Sequence, residues 1–360
     1  MRYPGIRGKA NPTRRIRAAA SLIDVAAVIV AVGLLTLWLI PATAGVRTIS
    51  KDARCLANLM RIGYANAIYA AQDQADMALP VHHRQFQQCP HLPPGEICYN
   101  PIFVGAYEWG GKSGIGQDDF VTGVPGDPLN SKYGTLAGFG PASRPLNRIL
   151  FDRDFTDNLH PEFDPQGAQE DTELDLPTLR CPSDTGFTGI HFPSFADNGH
   201  SSYDHFGTSY NANIFMVANF GGGEMRSNSP YLHRMSELLA PARTLAYQEN
   251  NGRFAWTAAP EADACLWICE GIPGTARGWH GKDWTFNAAF IDGHADTIYM
   301  RGYRCEQAFE DQDCESHSLR CIIIRGEGWQ IDTLPVTYTP TGLYYSGAGR
   351  PSYEHGLVGG

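Results

Sequence analysis

The sequence predicts an α+β protein: a long N-terminal helix, transmembrane in its first half, packed on an antiparallel β-sheet body with long loop insertions. Three observations carry this expectation. A nearly unbroken apolar run, Ala18 to Ile40, follows a basic stretch that contains no acid. Apolar and small residues then recur at helical spacing through residues 46–76. Two β-prone segments flank Asp292-Gly293, a strong hairpin-turn signal.

The first element is set by charge and length. Arg2, Arg7, Lys9, Arg14, Arg15 and Arg17 precede the apolar run, so the positive-inside rule keeps them cytoplasmic and exports the rest of the chain. The run is interrupted only by Ser21, Asp24 and Thr36 and matches the ~20 residues of one membrane crossing. A cleaved secretory signal is the simpler alternative, and Pro41-Ala42-Thr43-Ala44 offers it small residues for cleavage. Against it, the run exceeds the usual ~7–15 residues of a signal core. Asp24 is costly in an apolar helix unless it finds a partner or stays near the headgroups.

Beyond the run, Leu56, Leu59 or Met60, Gly63, Ala67 and Ala71 continue one helical face, with Asp76 and Pro80 as its stop. Residues 81–180 are loop-rich. His82, His83 and His91 read as exposed loop histidines, because their spacing defines no ligand geometry. Gly111-Lys112-Ser113 lacks the upstream glycine of a phosphate-binding loop, since position 106 is Ala. Asp152 to Asp175 is acid-rich and reads as a solvated loop or insert.

Residues 181–300 read as the principal core. Pro241 to Tyr247 suggests a turn entering a strand, and Thr285–Ile291 and His294–Met300 read as hairpin partners. Cys321–Ile324 and Trp329–Thr339 read as further strands, and the Gly- and Tyr-rich tail from Thr341 as a surface extension.

The chain has nine cysteines. Cys89 with Cys98, Cys265 with Cys269, and the group Cys305, Cys314 and Cys321 are candidate disulfide partners if the body lies outside the cytoplasm. Free thiols remain open as an alternative, and Cys265-Leu-Trp-Ile-Cys269 also fits half of a zinc site. The odd count leaves one thiol free or paired with another chain. Asp292, His294 and Asp296, with His280, form the best candidate polar cluster, and a metal-dependent hydrolase uses such groups. A turn role is simpler: Asp292 bonds local backbone and Gly293 supplies positive φ. There is no nucleophile elbow and no zinc-protease helix motif. Trp267, Trp279 and Trp284 suit either a sugar-binding surface or packing. A net charge of −10 argues against nucleic-acid binding.

Several motifs, in order, carry a family resemblance. Ala19-Ala20-Ser21-Leu22-Ile23-Asp24 resembles the cleavage region of type IV prepilins and pseudopilins, with Ala19, Ala20 and Asp24 standing where the family has Gly, Phe and Glu. Cys55-Leu-Ala-Asn-Leu-Met-Arg-Ile-Gly63, Arg144-Pro-Leu-Asn-Arg148, Cys181-Pro-Ser-Asp184, Gly207-Thr-Ser-Tyr210 and Pro241-Ala-Arg-Thr244 come next along the chain. Phe290-Ile-Asp-Gly-His-Ala-Asp296, led by His280, is similar to a His-spacer-Asp-Gly signature with a longer spacer. The set resembles the large pilin-like proteins of Planctomycetes and Verrucomicrobia, which often carry the domain of unknown function called DUF1559.

The resemblance implies cleavage between Ala19 and Ala20 by a prepilin peptidase, N-methylation, and an assembly role for Asp24 against the new amino terminus. It divides the chain into a cytoplasmic leader (1–19), membrane and exported halves of a spine helix (20–40 and 41–80), an extracytoplasmic body (81–340) and a tail (341–360). His280, Asp292, Gly293 and His294 are then a structural motif. The expected function is a non-enzymatic pilin- or pseudopilin-like subunit. It is anchored in the inner membrane as a single-pass protein and assembles with like subunits through the spine, in a type II secretion or type IV pilus-like system. Its body is expected in the periplasm or at the cell surface. No cofactor is expected; calcium is compatible with the acidic loops, without a ligand set. The alternative is a tethered module that binds sugar or calcium, or a metal-dependent hydrolase.

Overall fold

The computed structural model describes residues 22–83, 105–116, 131–159, 164–186, 200–214, 230–231, 233–252, 255, 277–300, 325–333, 335, 344–346 and 350–352, with side chains omitted at 22–24, 34–49, 325, 344–346 and 350–352. Contacts divide the chain into two compact units, Met1–Thr48 and Ile49–Gly360.

Helix α1 runs from Leu22 to Gln72. In the first unit its side chains from Val25 to Gly33 are exposed, Ile29 and Val28 by 66% and 62%. The expected transmembrane spine is corrected here: among the described residues, no helix is long and apolar enough to cross a membrane. The fold is an α+β body around a four-stranded antiparallel sheet, with a few helices.

In the second unit α1 buries one face. Cys55, Asn58, Leu59, Ile62 and Asn66 recur at helical spacing and are all within 3% of full burial. Leu59 and Ile62 contribute roughly 1.5–3 kcal/mol each by leaving water. The helix stops at Gln72 because the Asp73 carboxylate accepts the N–H groups of Ala75 (3.2 Å) and Met77 (3.1 Å). Asp76 then turns the chain at φ +56° and accepts a 2.7 Å bond from the Ser236 hydroxyl.

The sheet is formed by β1 (Tyr210–Ala212), β2 (Leu245–Glu249), β3 (Thr285–Phe290) and β4 (Ala295–Tyr299), in that order and antiparallel throughout. β2 is buried at every position and β3 at all but Thr285, so both read as central strands; β4 alternates toward solvent as an edge. β2 carries an irregularity between Leu245 and Tyr247. Two small hairpins are also present: β5 (Arg325–Gly326) with β6 (Trp329–Gln330), and β7 (Tyr344–Ser346) with β8 (Arg350–Ser352).

Loops of the body are organised by a buried cation. Arg144 caps the short helix α2 (Pro145–Phe151) and is 2% exposed. Its guanidinium donates to the carbonyls of Phe139 (2.9 Å), Tyr107 (2.9 Å), Gly110 (2.8 Å), Tyr133 (2.8 Å) and Phe206 (3.1 Å). Burial pushes Arg144 down to about 9, against the opposing charge of Glu108. Around it, Tyr107 stacks on Phe206 at 3.9 Å, and Tyr133 meets Phe206 edge-on at 4.9 Å.

Three local expectations change. His82 is fully buried against His83 and Phe139, not exposed, because the 78–82 segment passes beneath the Tyr231 and Glu108 layer. The acidic 152–175 stretch contains helix α3 (Pro165–Glu173), capped by Asp164, and buries Asp171 against Thr135 (2.7 Å) and Asn158 (2.9 Å). Trp284 is 5% exposed and Trp279 donates to the Gly186 carbonyl, so these two pack within the body and offer no aromatic platform.

Candidate functional site

The chemistry-bearing side chains that converge most closely come from four separate elements. Asp52 and Cys55 lie one turn apart on α1. Cys181 comes just after a short 3₁₀ turn, Pro177–Leu179. Glu249 ends β2, and His280 sits in the turn before β3. Cys55, Cys181, Glu249 and His280 are all buried, and their ligand-type atoms lie within 4.8 Å of one another.

Cys55 and Cys181 form a disulfide across 126 residues. It fastens α1 to the loop that carries Cys181. Neighbouring polar contacts align the same two elements: Asn58 Nδ2 lies 3.0 Å from the Pro177 carbonyl and 3.1 Å from that of Arg180. The Cys181 N–H donates to Ser209 Oγ at 3.0 Å. Asp184, in the Cys-Pro-Ser-Asp segment, gathers the loop. It accepts from the backbone of Gly186, Ser202 and Tyr203, each at 2.9 Å, and from Ser209 Oγ at 2.6 Å. Burial nevertheless pushes the Asp184 carboxyl up, outweighing these bonds.

Beside the disulfide, His280 Nε2 is 2.8 Å from Glu249 Oε1 and 3.8 Å from Cys181 Sγ. Glu249 is fully buried, and Asn287 of β3 holds it through its N–H (3.2 Å) and Nδ2 (3.1 Å). Asn287 Nδ2 also reaches Asp52 at 2.8 Å, and Asp52 pairs with Lys282 at 3.3 Å. Burial alone would push His280 down. The hydrogen bond and charge of Glu249, with the charge of Asp52, win and hold it above its usual value. Burial would likewise raise Asp52, but the Asn287 bond and the charges of His280 and Lys282 hold it below the usual carboxylate range. Two carboxylates therefore face one imidazole, and the buried Nδ1 of His280 makes no hydrogen bond.

The turn is positioned by glycine. Gly281 takes φ +78° and its N–H bonds the Gly278 carbonyl at 3.0 Å, while Gly278 N–H returns to Lys282 O at 2.9 Å. This tight loop points the His280 ring inward while Lys282 stays outside.

The sequence-level site residues fare differently. Asp292, Gly293 and His294 do come together, as a turn. Asp292 Oδ1 lies 2.6 Å from His294 Nδ1 and 3.2 Å from its N–H, and Gly293 takes φ +94°. His294 stacks on Phe290 at 4.2 Å. His280 does not join them; it faces Glu249 and the disulfide instead. Gly293 packs on α1, where a Cβ at Gly63 would meet the Gly293 carbonyl at 2.7 Å. Lys112 of the Gly-Lys-Ser segment is buried in a 2.7 Å ion pair with Asp204, which removes it from phosphate chemistry. Asp24 lies in α1, but its side chain is outside the described residues, as are Ala19, Ala20, Cys89, Cys98, Cys265, Cys269, Cys305, Cys314 and Cys321.

Cys55, Cys181 and Glu249 are absent from the residues singled out as a site by sequence. The available signal is the pairing of two motif cysteines, Cys55-Leu-Ala-Asn and Cys181-Pro-Ser-Asp, which local spacing treats as unrelated. No family model matches the chain, and no curated protein or solved structure matches it either.

Proposed function

We propose that this chain is a non-enzymatic, pilin- or pseudopilin-like structural subunit whose body works outside the cytoplasm. It works at the inner membrane, within a type II secretion or type IV pilus-like assembly. The observation that carries the reading is the Cys55–Cys181 disulfide, buried and spanning 126 residues. A cross-link of that kind belongs to oxidising compartments. The exposed apolar side chains of α1, Val25, Val28, Ile29, Val30 and Val32, add a surface that calls for a cover. Like helices of neighbouring subunits supply one. In this reading the Asp292–His294 turn and the Asp184 hub shape the body and perform no chemistry.

The test is the N-terminal residue and mass of the mature protein from membranes, alongside assembly in an Asp24→Ala variant. Processing at Ala20 with N-methylation, and loss of assembly at unchanged expression for the variant, is the expected result. A mature chain that starts at Met1, with assembly unaffected by Asp24→Ala, would overturn it.

A further inference from the structure

Glu249 is a fully buried carboxylate whose cationic partner is an imidazole already facing a second carboxylate, Asp52 at 3.8 Å. Lys282, 3.3 Å from Asp52, answers the second carboxylate, which leaves Glu249 and the imidazole as the buried pair beside the disulfide. The two sulfurs beside it change what cation would fit. We propose that, when the disulfide is reduced, Cys55, Cys181, Glu249 and His280 form a four-ligand site for Zn²⁺.

The donor set selects the metal. Two thiolates, one imidazole nitrogen and one carboxylate oxygen make a closed tetrahedral site of the structural kind. Calcium and magnesium require six or more oxygens and reject sulfur. The spacing is close to what zinc needs. Bonds of ~2.3 Å to sulfur and ~2.0–2.2 Å to nitrogen and oxygen place ligand atoms about 3.3–3.8 Å apart around a tetrahedron. Cys181 Sγ already stands 3.8 Å from His280 Nε2 and 4.0 Å from Glu249 Oε1. His280 and Glu249, now 2.8 Å apart, must open slightly, and the sulfurs must part from bonding distance. Asn287, bonded to both Glu249 and Asp52, orients the carboxylate ligand from behind. Asp52, whose side chain is 21% exposed, stands 3.8 Å from His280 Nε2 beside the cluster.

The exchange balances. A dithiol reductant passes two electrons to the Cys55–Cys181 bond, which breaks into two thiols while the reductant closes its own disulfide. Zn²⁺ then displaces both thiol protons, and the proton on His280 Nε2, to solvent. The same four residues therefore fasten α1 to the body in either redox state, by a covalent bond or by a metal. The inference is independent of the proposed function.

The experiment uses the full chain, reduced and stripped with a chelator, then titrated with Zn²⁺ by competition and with Co²⁺ by absorption. The expected result is a tetrahedral, thiolate-bearing Co²⁺ spectrum that is lost in the Cys55→Ser/Cys181→Ser double variant. Zn²⁺ affinity should fall about 100-fold or more for Glu249→Gln and His280→Gln, and about 10–100-fold for Asn287→Ala. The other cysteines make site assignment essential, so peptide-level alkylation of the reduced wild-type protein is the second measurement. Zn²⁺ should slow modification of Cys55 and Cys181 specifically. The proposal is overturned if Zn²⁺ leaves both cysteines as reactive as in the metal-free protein. Affinity unchanged by Glu249→Gln and His280→Gln would overturn it equally.

Discussion

Breaking the Cys55–Cys181 link should cost this body a large part of its stability. Closing a loop of 126 residues removes about 16.5 cal/mol/K from the unfolded chain, or about 4.9 kcal/mol at 25 °C. Measured losses for native disulfides run about 2–5 kcal/mol, so the entropic figure is an upper value. The assay is urea unfolding of the oxidised and reduced chain, both with chelator so that no metal replaces the bond. With a slope of about 3 kcal/mol/M, the midpoint should fall by about 0.7–1.7 M on reduction. Cys55→Ala and Cys181→Ala should each lose a similar amount, and the double variant little more, because either change removes the same bond. A reduced protein within about 1 kcal/mol of the oxidised one would refute the reasoning. So would single variants whose losses add.

Three further outcomes are expected. Arg144→Lys supplies at most three donors to five carbonyls, of which only that of Tyr133 has a second donor, the Gly114 N–H, so at least one goes unsatisfied at about 1–3 kcal/mol. Equilibrium unfolding should show a loss of at least about 1–3 kcal/mol, and an unchanged midpoint would contradict the carbonyl-clamp account. His280 is held above its usual value in the folded chain, so its contribution is complete below about pH 6.5 and fades as pH rises through the folded value. Between pH 5.5 and 8.5 the wild-type oxidised protein should therefore lose stability more steeply than Glu249→Gln, by up to about 1.4 kcal/mol per pH unit; parallel profiles would remove His280 from the explanation. Gly63→Leu drives a side chain into the Gly293 backbone, where even a Cβ would stand 2.7 Å from the carbonyl oxygen. It should cost about 1–3 kcal/mol by thermal or urea unfolding, and an unchanged midpoint would show that the turn moves aside freely.

The sequence is legible where the physics is local. The Asp292-Gly293 turn is encoded by a residue that bonds its own backbone and one that accepts positive φ, and β3 and β4 close around it. The turn at 241–244 leads into β2, and the helical periodicity of 46–76 corresponds to the second part of α1. Less is legible where burial decides. His82 looks like a loop histidine because its neighbours are Pro and His, yet the layer above it comes from residues 108 and 231. The 152–175 stretch looks solvated because acids dominate it, yet Asp171 is paired with Thr135 from another loop. The membrane-spanning expectation does not hold among the described residues, where no helix is long and apolar enough to cross a membrane.

The amino-acid sequence by itself determined the turns, the strand pairing beside them and the abundance of cysteine, since each depends on residues only a few positions apart. It could not assemble Asp52, Cys55, Cys181, Glu249, His280 and Asn287. Only the tertiary structure did so, because those residues come from a helix, two loops and two strands, and their contacts span 31 to 235 positions. Local propensity carries no information at that range. The sheet and the buried face of α1 meet by removing apolar surface from water, and that collapse decides which distant polar groups become neighbours.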